Sequence, residues 1–135
     1  MGTFRSLEEA RAFFIQDRFA AVNGMGIDEL YDGGCVCSME LGETHRNAHG
    51  RVMGGVIYTL ADFAFAVASN NDHGPATGLD ASIQYLRSSK GQRLIAKASC
   101  VKGGKSIVVY QVLVTDDLGQ DIALFTGTGF RLQGP

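Results

Sequence analysis

The sequence predicts an α+β domain in which an antiparallel sheet wraps around a long apolar helix, with a peripheral helix at the N-terminus. Three observations carry that expectation. Residues 54 to about 71 place apolar side chains on every side of a helix, strand-like segments joined by short turns follow them, and 135 residues are enough for one core. Hydrophobic residues make up 45% of the chain and charged residues 19%, a balance that excludes disorder. Eighteen glycines against two prolines imply many tight turns and argue against an all-helical bundle. The chain therefore reads as one domain over residues 1–135, with the N-terminal helix inside 1–24 and the wrapped core over 35–135.

Taken in order, Ser6 followed by Glu9 reads as a capping box, and Leu7, Ala10, Phe14 and Ala21 fall in one helical stripe before Gly24. Residues 35–41 alternate Cys35, Cys37, Met39 and Leu41 against Val36, Ser38 and Glu40, which is strand periodicity. A polar loop runs from Gly42 to Val52. The next helix, from Gly54, is interrupted by Gly55, Asp62 and Ser69 and falls short of the roughly 20 apolar residues that span a bilayer, so no membrane role is expected. Four strands follow at Ala81 to Arg87, Leu94 to Lys102, Ser106 to Thr115 and Ile122 to Leu132. Gly103-Gly104 suits a two-residue hairpin needing positive φ, Asp117-Leu118-Gly119 a longer one, and the last three strands should form a meander with Ile107 to Val114 at its centre. About five strands curl only partly around a helix, so a second protomer is expected to complete the burial.

A net charge of −2 argues against nucleic acid as a partner, since phosphate backbones need a clustered positive excess. The charge is divided along the chain, however. Residues 1–45 hold three Lys/Arg against eight Asp/Glu, and residues 46–135 nine against six. Arg87, Lys90, Arg93, Lys97, Lys102 and Lys105 follow one another with no acidic residue between them; most suit a solvated face, and some could meet a phosphorylated ligand. Three cysteines do not build a disulfide framework, and no secretory signal opens the chain, so a cytoplasmic location is expected. His45 and His49 have the spacing of helical metal ligands but sit in a loop without a third ligand, and no metal is expected.

Asp62 is the leading chemical candidate, because an ionised carboxylate inside an apolar helix costs several kcal/mol unless something compensates it. The alternative is a structural Asp at a helix crossing. Gly54 and Gly55 begin the same helix, where backbone N–H groups lack intrahelical acceptors and the dipole is positive.

The stretch NAHGRVMGGVIYTLADFAFAVASNN, from Asn47 to Asn71, resembles the signature of hotdog-fold acyl-CoA thioesterases of the phenylacetate-pathway (PaaI-like) family. The likeness extends through ASIQYLR at 81–87 and the closing ALFTGTGFRL, so it covers residues from about 47 to the C-terminus. It implies the hotdog fold and hydrolysis of an acyl-CoA thioester to free acid and CoA, without metal or cofactor. Asp62 would be nucleophile or general base, the Gly54 N–H the oxyanion donor, and Asn47 an orienting side chain, with Gly55 and Met53 at the helix entrance. Met53 stands where the family motif has His, and a thioether offers no proton donor. That departure motivates an alternative, a non-catalytic acyl-CoA binding module of the same fold; a hydratase would want the missing His. Arg87, Lys90, Arg93 and Lys105 are candidate contacts to the CoA phosphates. Eight residues of straight helix separate Gly54 from Asp62 by about 12 Å, so the expected assembly is a homodimer or dimer-of-dimers tetramer with active sites shared between subunits.

Overall fold

The computed structural model describes residues 2–132. Leu7–Phe14 form α1, where Ser6 Oγ accepts the Glu9 N–H at 3.1 Å while the Glu9 carboxylate turns instead to the Arg5 guanidinium at 3.0 Å. The single N-terminal helix expected from the spacing is in fact two. The chain unwinds after α1 and restarts as α2, Arg18–Val22, with Asp17 at its N-cap. The restart shifts the helical phase, so Ala20 is buried and Ala21 exposed. Phe14 packs edge-on to Phe63 at 6.0 Å and holds this segment against the central helix.

That helix is α3, Gly54–His73, which stops at Gly74 with φ +71. Around it lie β1 (Gly26–Tyr31), β2 (Gly34–Glu40), β3 (Ala76–Tyr85), β4 (Arg93–Gly103), β5 (Ile107–Asp116) and β6 (Asp121–Arg131). They form one antiparallel sheet in the order β1-β2-β4-β5-β6-β3, with the expected meander at its centre. Leu60, Ala61, Ala64, Val67 and Ala68 of α3 are wholly buried against the inward residues of β2, β4 and β5, among them Cys35, Cys37, Ala96, Ala98, Val112 and Val114. This is the wrapped-helix, hotdog architecture that the sequence predicts.

The sheet has six strands rather than five. β1 carries no readable strand signal, because only Ile27 of its six residues is buried and a bulge after Ile27 breaks the alternation. β3 begins at Ala76, five residues before the expected strand, since residues 77–80 are all exposed and carry no alternation. The Gly103-Gly104 turn also differs: neither glycine has positive φ. Space is what they supply, since a Cβ on Gly104 would lie 2.5 Å from the Ile107 carbonyl oxygen and one on Gly103 would lie 2.9 Å from the His73 ring. Finally, α3 is not covered on every side within one chain. Gly55, Thr59, Asp62, Ala66 and Asn70 form a stripe that is open or half-open, flanked by α2 on one side and β3 on the other.

Candidate active site

The loop before α3 is held by its own backbone and one buried imidazole. Gly42 donates its N–H to His45 Nδ1 at 2.9 Å, and the His45 carbonyl accepts the Met53 N–H at 2.9 Å, so His45 is a buried clamp rather than a ligand. Asn47 Oδ1 accepts N–H bonds from His49 at 3.0 Å and Arg51 at 3.1 Å, and the main chain of Asn47 bonds that of Arg51 and Gly50. Asn47 thus shapes the turn that delivers the chain to the helix.

Met53 occupies the N-cap of α3 with extended backbone and no side-chain cap. Its carbonyl takes the Val56 and Ile57 N–H groups, whereas those of Gly54 and Gly55 have no acceptor among the described residues. The terminal methyl of Met53 lies over Gly55, only 2.9 Å from where a Cβ would stand. Tyr85, at the end of β3, donates its hydroxyl to the Gly54 carbonyl at 3.1 Å and packs its ring beside Gly54. The first turn of α3 is therefore pinned from both sides while its two leading amides point outward.

Asp62 lies two turns further along, on the open stripe. Two clefts meet at it. One, of 360 Å³, is lined by Asp17, Phe19, Thr59, Phe63 and Ala66; the other, of 420 Å³, by Tyr58, Phe65, Gly78, Leu79 and Asp80. Partial burial pushes the Asp62 carboxyl above the usual carboxylate range, and the nearby charge of Asp17 adds to the shift. Asp17 is itself raised by burial. Tyr58, one turn before Asp62, has its phenol raised by burial and then by the charges of Asp62, Tyr85 and Asp80.

The four cationic candidates separate. Arg87 and Lys90 share a 770 Å³ cleft with Arg46 and Arg51 from the loop before α3. Arg87 is steadied by Gln120 at 2.6 Å and the Asp121 carbonyl at 3.0 Å, and none of the four cations lining this cleft, Arg46, Arg51, Arg87 and Lys90, forms an ion pair among the described residues. Asp116 lines the same cleft, but its oxygens accept from Ser89, Leu118 and Gln120. Arg93 is engaged elsewhere, with Glu40 and Ser38 at 2.5 Å and Asp28 at 3.8 Å. Lys105 sits in the β4–β5 turn beside the C-terminal end of α3, roughly 30 Å of helix from Gly54. Arg46 and Arg51 escape a sequence reading because the unbroken basic run starts only at Arg87, across a gap that the fold closes. No cluster of metal-ligating side chains occurs among the described residues, and no helix there is long and apolar enough to cross a membrane.

Residues 49–123 match the family model of the thioesterase superfamily. The acyl-coenzyme A thioesterase PaaI of Escherichia coli is 30% identical over 131 residues, covering 96% of this chain and 94% of that protein. Among solved structures, a mutant of the phenylacetic acid degradation protein PaaI from Thermus thermophilus superposes with a TM-score of 0.82 at 38% identity, covering 86% of this chain and 100% of that one. A hypothetical thioesterase from Streptococcus pneumoniae, solved with coenzyme A, gives 0.81 at 25% identity over 88% of this chain and 96% of its own. With the wrapped helix, the paired glycines at its start and these matches in agreement, the chain belongs to the thioesterase superfamily.

Proposed function

We propose that this protein hydrolyses an acyl-CoA thioester to the free acid and CoA, with its active site built between two copies of the chain. The observation that carries the reading is the placement of a carboxylate of raised pKa, Asp62, on the one stripe of α3 that a single chain leaves open, on the same helix as two outward N–H groups without acceptors among the described residues. The Gly54 N–H stabilises charge on the thioester oxygen while Asp62 attacks the carbonyl carbon or takes a proton from the attacking water. Asn47 orients the turn that aims this amide, and Gly55 and Met53 border it. Arg87 and Lys90, joined by Arg46 and Arg51, receive the phosphates of CoA at the same end of the molecule as the amide. Arg93 is left out of that set by its own ion pairs, and Lys105 by its distance.

Because eight residues of continuous helix hold Gly54 about 12 Å from Asp62, one carbonyl group meets both only if the second comes from a partner. β3 offers the docking edge: of the two edge strands it is the longer, at ten residues, and it borders the open stripe. The three free cysteines, two of them buried, fit a reducing, cytoplasmic setting. Met53 favours a second reading, a binding module of the same fold that retains CoA without cleaving it, since its thioether offers no proton at the helix entrance and the Tyr85 hydroxyl there is already given to the Gly54 carbonyl. A panel of short aliphatic, long aliphatic and aryl acyl-CoA thioesters, followed with a thiol reagent, separates the two. Turnover well above heat-killed protein is expected for at least one member, and silence across the panel, with CoA still bound, would favour the module.

A further inference from the structure

We propose that the Tyr58 hydroxyl is a further catalytic group, a hydrogen-bond donor to the oxyanion that forms beside Asp62. The inference rests on the reading of Asp62 as the group that drives thioester hydrolysis.

Gly54, Tyr58 and Asp62 stand four residues apart, so they occupy successive turns on one face of α3, each about 6 Å from the next along the axis. The Tyr58 ring is fixed edge-on against the fully buried Phe125 at 5.5 Å. Its apolar body is thereby committed to the core, and the phenol end reaches the 420 Å³ cleft that Asp62, Asp80 and Leu79 also line. The neighbouring side-chain donors, from the start of α3 to Asp62, are engaged elsewhere. Thr59 gives its hydroxyl to the Gly55 carbonyl at 2.6 Å, and Tyr85 gives its own to the Gly54 carbonyl at 3.1 Å. Met53 has none to give. Tyr58 makes no hydrogen bond among the described residues, which leaves its O–H as the unspent side-chain donor beside the carboxylate. The groups facing it are the carboxylates of Asp62 on its own helix and Asp80 on β3, together with the Tyr85 phenol; with burial they keep it protonated at neutral pH, so it acts as a donor and not as a base.

In the reaction, a new bond from the attacking oxygen to the carbonyl carbon moves the C=O π pair onto oxygen. Tyr58 donates a hydrogen bond to that oxygen and keeps its proton. When Asp62 acts as base it takes a proton from the attacking water, and on collapse the pair returns to re-form C=O, the C–S bond breaks, and the thiolate of CoA takes up that proton. When Asp62 attacks directly, collapse leaves a mixed anhydride on Asp62 and the free thiolate, and water then cleaves the anhydride, releasing the acid, regenerating Asp62 and passing one proton to the thiolate. The role is the same whether Asp62 attacks directly or through water.

Tyr58→Phe keeps the ring on Phe125 and removes only the hydroxyl. Loss of one oxyanion donor predicts a fall in kcat of about 10² with KM and thermal midpoint nearly unchanged. A kcat within about twofold of wild type, in a sample where Asp62→Asn is inactive, would overturn the Tyr58 role and leave the Asp62 reading standing. Full activity of Asp62→Asn, or silence of the wild type on every acyl-CoA, would remove both. A second variant carries the same test without truncation: 3,5-difluorotyrosine at position 58 lowers the phenol pKa, and activity should then fall at a lower alkaline pH than in the wild type, because a phenolate cannot donate. An unmoved alkaline limb would count against the proposal.

Discussion

Asp62 and Asp17 face one cleft from neighbouring helices, and the charge on one makes ionisation of the other harder. The sign follows directly. In the proposed reaction Asp62 works in its ionised form, and burial first, then Asp17, raises the pH at which that form appears, so the acid limb of kcat/KM should lie above the ordinary Asp value of 3.8. Asp17→Asn removes the second cause but not the first, and the limb should move down without reaching 3.8. A pH–rate profile of both proteins on one acyl-CoA checks this; coincident profiles would mean that Asp17 does not act on the reacting carboxylate. Asp62 is legible in the sequence because a lone acid in an apolar helix is conspicuous. Asp17 and Tyr58 are not, since an acid in a polar segment reads as a solvated residue or cap, and an aromatic in an apolar run reads as core. The packing of α2 against α3 brings Asp17 to Asp62, and the packing of β3 walls the cleft that Tyr58, one turn before Asp62 on the same helix, shares with it.

The strands show what periodicity can and cannot carry. β4 and β5 alternate buried and open residues over much of their length, and their positions are readable to within one or two residues. β1 and most of β3 bury so little that no alternation survives, and both are edges. In β6 the Gly127-Thr128-Gly129 stretch, which is no nucleotide fingerprint, is a slot for an aromatic ring. A Cβ at Gly127 would lie 2.9 Å from the Phe125 ring and 3.1 Å from that of Phe65, and one at Gly129 would lie 3.2 Å from Phe65. The helix can approach the sheet here because the sheet has no side chains in the way. Gly127→Ala should therefore lower stability by about 1–3 kcal/mol, through overpacking, with the denaturant slope unchanged. An unaltered midpoint in urea would show that Phe65 has room to withdraw.

For the molecule as a whole, the decisive expectation is that activity belongs to a pair of chains. Proline at Gly54, the first helical position, suits the helix and removes the N–H, with its Cβ 3.4 Å from the Tyr85 ring, and the extended backbone of Met53 accepts a following proline. Gly54→Pro and Asp62→Ala should each lose about 10²-fold or more. Unfolded together and refolded as an equal mixture, they should pair at random, giving about half mixed dimers with one intact site each, and about a quarter of wild-type activity should return. No recovery, with mixed dimers verified by mass, would place both residues in one chain's site. The strand order also bears on how a new chain reaches its structure. β4, β5 and β6 are joined by short turns and can pair as soon as they are made, whereas β2 must wait for β4 across the whole of α3, and β3 must wait for β6. The pairings with the longest connections to close are therefore those of β2 and of β3, the outer edge beside Asp62. While a chain is folding, the unpaired edge of β3 beside Asp62 is open to pairing with any other strand, and meeting a second copy early would cover that edge as well as complete the site.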